Sequence, residues 1–236
     1  MTKITRRQFF EDTLLATAAV ATASIPQSLC AGEVRPVGPN NRIAVGLLGC
    51  GNRGKRLASE ILQLPDCAIT HVCDPDLQRA EELAAAIGGK TRRPRVMRDL
   101  RAVFDDRSVD AVVVATPNHW HALAAIWAMQ AGKDVYVEKP VSHNVTEGRR
   151  MVQVARRHGR ICQAGTQNRS SAGMSETIAY LHAGKLGAVK LARSIVYGNR
   201  MSIGGPGHYK ITDNIDYNLF AAVSYTHLTL PTNREV

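Results

Sequence analysis

The 236 residues carry 30 Lys and Arg against 20 Asp and Glu, a formal net charge of +10, with five cysteines. That length fits one or two domains. Cys30, Cys50, Cys67, Cys73 and Cys162 show no C-x-x-C spacing, which excludes the common metal-site patterns and requires no disulfide. The one dense basic run (Lys90, Arg92, Arg93, Arg95, Arg98) holds no aromatic residue to stack on a base, so it reads as a solvated rim and no nucleic-acid partner is expected.

At the front, Thr5-Arg6-Arg7-Gln8-Phe9-Phe10 precedes an Ala/Thr-rich apolar stretch, Leu14 to Ile25, and then small residues. This is the pattern of a twin-arginine export signal, assigned to residues 1–31. The apolar stretch is shorter than the ~20 residues of a spanning helix. A soluble protein, delivered by the twin-arginine machinery to the periplasm or the exterior, is therefore expected, with no stable membrane insertion.

From Asn40 onward, strand-length apolar runs alternate with helical patterns. Arg42 to Leu48 leads into Gly49-Cys-Gly-Asn-Arg-Gly54, a G-x-G-x-x-G turn opening a helix with Leu57, Ala58, Ile61 and Leu62 at helical spacing. Such a turn holds a dinucleotide: Gly49 permits the bend, Gly51 lets backbone approach the phosphates, and Gly54 lets helix pack on strand. The next run, Ala68 to Cys73, closes on Asp74, where a ribose-binding carboxylate belongs. Leu77, Ala80, Leu83 and Ile87 mark a helix, Arg95 to Met97 a third strand, and Asp99 caps a helix holding Leu100, Val103 and Phe104. Asp110 to Ala115 follows, then a helical face of Leu123, Ile126 and Trp127. Asp134 to Val137 comes next, then a face of Val145, Met151, Val152 and Ala155, and finally Arg160 to Ala164. Val112-Val113-Val114 is apolar on both faces, as a parallel sheet between helices requires. The expected fold is a doubly wound, Rossmann-like α/β domain over residues 40–165.

Beyond it, a helix (Ser175 to Ala183), a glycine stop (Gly184 to Gly187) and a strand (Val189 to Val196) read as the start of a truncated second α/β domain over residues 166–222. Val223 to Thr232 matches the translation of a transposon-end adapter used in sequencing libraries. Residues 223–236 are therefore expected to be an artefact, with His227 carrying no functional weight and the genuine gene product longer.

Two more motifs sit where carboxyl ends of strands face a ligand crevice: Ala115-Thr-Pro-Asn-His-Trp-His121 after the fourth strand and Glu138-Lys-Pro140 after the fifth. With the glycine turn and Gly165-Thr-Gln-Asn-Arg169, they make the chain from Arg42 to about Phe220 resemble the Gfo/Idh/MocA family of NAD(P)-dependent sugar oxidoreductases. The resemblance implies that Gly49, Gly51, Asn52, Arg53 and Gly54 cradle the pyrophosphate and Asp74 holds the adenosine ribose. Thr116, Pro117, Asn118 and His121 would line the cofactor near the nicotinamide side, and Lys139 would be the catalytic group beside the nicotinamide and the substrate hydroxyl, oriented by Glu138. Asp74 repels a 2′-phosphate, favouring NAD, while Arg79 one helical turn on leaves NADP open. His121 reads equally well as a structural helix-start residue, and Trp120 and Trp127 as packing. His119 and His121, at i and i+2, make no metal site.

The implied activity is hydride transfer between NAD and a sugar or polyol hydroxyl. An NAD-dependent glycosidase of the same family and a non-catalytic NAD-binding protein carry the same motifs, and a homo-oligomer stays open. The family's His/Asp general acid/base has no counterpart before Ala222. The chain is thus expected to keep cofactor affinity and lose most turnover.

Overall fold

Ile43–Leu48 (β1) is the hub of the sheet, paired in parallel with Cys67–Cys73 (β2) on one side and Ala111–Val114 (β4) on the other. Arg95–Met97 (β3), Asp134–Glu138 (β5) and Cys162–Gly165 (β6) complete six parallel strands in the order β3-β2-β1-β4-β5-β6. This is the expected doubly wound sheet. Its direction of winding reverses between β1 and β4, which opens a crevice at their carboxyl ends. The computed structural model describes residues 42–195, 198, 210 and 212–221, so the expected signal and adapter segments lie outside the described residues.

Alternate side chains of the central strands enter two separate cores. Leu48, Val112 and Val114 pack on one face against Leu100–Asp105 (α3), Asn118–Gln130 (α4) and Val145–His158 (α5). Val45, Leu47 and Val113 pack on the other against Asn52–Ile61 (α1) and Leu77–Gly88 (α2). Each fully buried Val or Leu stabilises the fold by roughly 1.5–3 kcal/mol, so strands apolar on both faces belong at this centre. Side chains fix where three helices begin: Asp76 accepts from the N–H groups of Gln78 and Arg79, Asp99 from that of Arg101, and Asn144 from that of Glu147.

In α4, Leu123, Ile126 and Trp127 pack against the first core, partly buried, while Ala122, Ala124, Ala125, Ala128 and Met129 lie deepest, their small side chains letting the helix lie close on the sheet. Two expectations need correction. In α5 the buried face is Met151 and Val154; Val145 is 82% exposed and Val152 48%. At about 100° per residue, Val145 and Val152 fall well round the helix from Met151. Finally, residues 189–195 form no strand and stay exposed, since an extended segment without a paired neighbour has no ladder to hold it. The helix before them runs over Ala172–His182 (α6), after a 3-10 turn at Gln167–Ser170.

Candidate functional site

The turn after β1 is held by backbone. Gly49, at φ +93, donates its N–H to Cys73 O at 2.8 Å, and a Cβ there would sit 2.5 Å from Ala115 O. A Cβ on Gly54 would run into Gly49 O. These two glycines are demanded by the protein itself. Gly51 is different: its Cβ would meet no atom of the described residues within 4 Å, and the residue lines an open cavity of about 280 Å³. Gly51 is also the N-cap of α1, and no side chain caps that helix. The start of α1 thus presents uncapped backbone donors and a positive dipole end toward the cavity.

Seven of the expected residues meet in this cavity: Gly49, Gly51, Asn52, Arg53, Asp74, Thr116 and Pro117. Asp74 is buried, and its carboxylate is aimed by two backbone donors, Cys50 N at 2.7 Å from Oδ2 and Asp76 N at 2.9 Å from Oδ1. Each oxygen keeps a lone pair for a further donor. Thr116 also lines the cavity, and its Oγ1 is buried without a hydrogen-bond partner among the described residues. An open glycine at an uncapped helix start and an oriented carboxylate, around one space with both apolar and cationic lining residues, fit a dinucleotide.

Arg53 lines the cavity from the first turn of α1, while its guanidinium is engaged elsewhere. Its Nη2 and Nε lie 2.6 and 2.7 Å from Glu138 Oε1, joining the glycine turn to the end of β5. Gln167, in the amide orientation that satisfies both neighbours, accepts from the same guanidinium at 2.8 Å. Glu138 in turn does not orient the Lys139 ammonium; its Oε2 accepts from the Lys139 backbone N–H at 3.2 Å. The guanidinium fork claims the carboxylate because it can make two charged bonds where an ammonium makes one. Burial first, and then Glu138, push the Tyr136 phenol beside this pair upward. Lys139 is exposed at the end of β5, its peptide to Pro140 is cis, and its ammonium has no partner among the described residues.

His121 stands behind the cavity rather than in it. Its Nδ1 lies 2.6 Å from Pro140 O and its Nε2 2.8 Å from Thr116 O, so the ring braces the loop after β4 against the loop after β5. The structural reading of this residue is the one that the geometry supports. Asn118 is exposed at the start of α4, and Gly54 lies under the turn. Arg98, expected on a solvated rim, lines the cavity with Arg79, whose Nε pairs with Asp76 Oδ2 at 3.1 Å. The lining also includes Leu100, Trp120, Leu219 and Phe220, none of which was singled out for the site. A cap-plus-apolar pattern flagged Leu100 only as core; Leu219 and Phe220 carry no local signal at all.

Residues 43–166 match the profile of the oxidoreductase family with an NAD-binding Rossmann fold, Gfo/Idh/MocA. The chain is 35% identical over 150 residues to inositol 2-dehydrogenase 4 of Saccharopolyspora erythraea, covering 63% of this chain and 43% of that protein. It is 30% identical over 179 residues to a glycosyl hydrolase family 109 protein of Shewanella putrefaciens, covering 69% and 39%. Among solved structures, it resembles scyllo-inositol dehydrogenase from Lactobacillus casei with bound NAD(H) and scyllo-inositol. The TM-score is 0.57 at 22% identity, with 62% of this chain and 42% of that one covered, a likeness of fold. The chain spans about two-fifths of the length of the curated relatives that it matches.

Proposed function

Because the chain belongs to the Gfo/Idh/MocA family of NAD-binding oxidoreductases, we propose that its cavity receives NAD and that the whole protein moves a hydride between NAD and the hydroxyl-bearing carbon of a sugar or polyol, the hydroxyl proton being exchanged with solvent. The observation that carries this reading is the buried Asp74 carboxylate, aimed by two backbone donors, in the lining of the same cavity as the unobstructed Gly51. The glycine turn and the first amides of α1 bind the pyrophosphate, and Asp74 accepts from the adenosine ribose. Asp74 is already oriented by Cys50 and Asp76, so the free energy of ordering it is largely spent on folding. Its negative charge favours NAD over a 2′-phosphorylated cofactor.

When bound, NAD supplies the hydride acceptor or donor. The chain's own part falls to Lys139, whose ammonium donates to the oxygen of the reacting hydroxyl and stabilises its developing negative charge. Arg53 and Glu138 act on it indirectly, by fixing the backbone from which Lys139 projects. His121 fixes the other end of the same loop through Pro140 O.

Titration with NADH tests binding, and absorbance assays with NAD and a panel including myo-inositol and scyllo-inositol test turnover. Absence of NADH binding overturns the reading. A glycosidase is the second reading, favoured by the similarity to a family 109 glycosyl hydrolase, which extends over 179 residues against 150 for the inositol dehydrogenase. Release of a chromogenic aglycone without net NADH formation would support it instead.

Export by the twin-arginine route is proposed on the Arg6-Arg7 pair and the apolar stretch that follows. Replacing both arginines by lysine in a reporter fusion is expected to leave the reporter in the cytoplasm.

A further inference from the structure

Residues 214–220 run beside the cavity, which Leu219 and Phe220 line, and are fastened at two places. At the β2 end, Ile215 bridges Asp76, Asp216 N donates to Pro75 O at 3.0 Å, and Asn214 Nδ2 donates to Asp76 Oδ1 at 2.7 Å. At the α4 end, Trp120 Nε1 donates to Leu219 O at 2.9 Å, and His119 Nε2 lies 2.8 Å from Phe220 O. The final turn, Tyr217–Ala221 (α7), sets the Phe220 ring edge-on to His119 at 6.2 Å and stacked on Tyr217 at 6.3 Å. Phe220 remains 40% exposed while lining the cavity with Leu219, Leu100 and Trp120.

We propose that this segment is the outer wall of the adenosine half of the cavity, with Phe220 offering its ring to the adenine; the inference rests on the cofactor reading above. The segment is fastened beside Asp74, through Pro75 and Asp76, and to His119 and Trp120 at the start of α4. Leu100, Trp120, Leu219 and Phe220 give the cavity an apolar side, Arg79 and Arg98 line it as well, and a flat heteroaromatic base is the part of the cofactor that suits such a side. Trp120 is then a positioning residue that acts through the Leu219 carbonyl.

The test uses the full 236-residue chain with three probes: NADH, ADP-ribose, and reduced nicotinamide mononucleotide, which lacks adenosine. Phe220→Ala is expected to weaken NADH and ADP-ribose each by roughly tenfold, leave the mononucleotide within about twofold, and be rescued by Phe220→Tyr. If all three probes weaken equally, or none does, while the native chain binds NADH, the wall is overturned and the cofactor reading stands. A native chain that binds neither NADH nor ADP-ribose overturns both. Should Phe220→Ala fail to fold, Trp120→Phe keeps an aromatic side chain but removes the pyrrole half of the indole, and with it the N–H that holds Leu219 O. Unchanged ADP-ribose affinity there overturns the proposal.

Discussion

Arg53 and Glu138, 85 residues apart, tie the glycine turn to the end of β5 through two charged bonds on one carboxylate oxygen. The partners are unequal in burial: Glu138 has a side-chain exposure of 6%, Arg53 of 26%. Removing the arginine strands a charge that cannot reach water, whereas removing the carboxylate leaves a guanidinium that can. We expect Arg53→Ala to cost about 2 kcal/mol and Glu138→Gln about 1, with the double variant less destabilised than the sum. Urea denaturation of the three variants measures this.

Gly51 and Gly54 should separate binding from folding. Alanine at Gly54 collides with Gly49 O and is expected to cost several kcal/mol, on the order of 3, or to prevent folding. Alanine at Gly51 meets no atom of the described residues and should change stability by less than about 1 kcal/mol. It nonetheless fills the place where backbone approaches the phosphates, so NADH affinity should drop by roughly tenfold or more. Melting curves and fluorescence titration of the two variants, read together, check the split.

How much of this was legible in the sequence follows from the range of each interaction. The strand order rests on local runs and short crossovers, and Asp99 before Leu100 marks its helix start from two adjacent residues. The glycine turn and Asp74 are likewise local motifs whose consequences can be read off spacing. Arg53 was not legible: as a residue in the turn it suits a phosphate, and only the fold brings Glu138 to its guanidinium. The same holds for Trp120 and Leu219, 99 residues apart. Residues 189–195 alternate like a strand, yet a strand is a property of a pair, and alternation says nothing of the partner.

The thiols of Cys50 and Cys73 should be inert in the folded chain. Burial, followed by the charge of Asp74, pushes Cys50 up to about 12, and burial pushes Cys73 well above the ordinary thiol range. Alkylation needs the thiolate, so neither should be labelled by iodoacetamide near pH 8 until the protein unfolds. Cys67 and Cys162, partly exposed and free, should label first. Peptide mapping by mass spectrometry after timed labelling distinguishes the four.

His71 gives the fold a pH dependence whose sign is fixed by its surroundings. The ring is 1% exposed in β2, with Thr70 Oγ1 3.0 Å from Nδ1 and Asp106 Oδ2 3.3 Å from Nε2, close enough for attraction but without a hydrogen bond. Burial holds it below the usual imidazole range; Asp106 pulls it up, and Arg95 and Lys133 push it down again. A depressed value means that the folded chain binds the proton less readily than the unfolded chain. Stability is then whole above about pH 6.5 and falls as pH drops through that value toward the lower folded one. His71→Asn removes the titrating group, so its denaturation midpoint should vary less between about pH 7.5 and pH 5 than that of the native chain. Parallel slopes for the two proteins across that range would show that His71 does not carry the dependence.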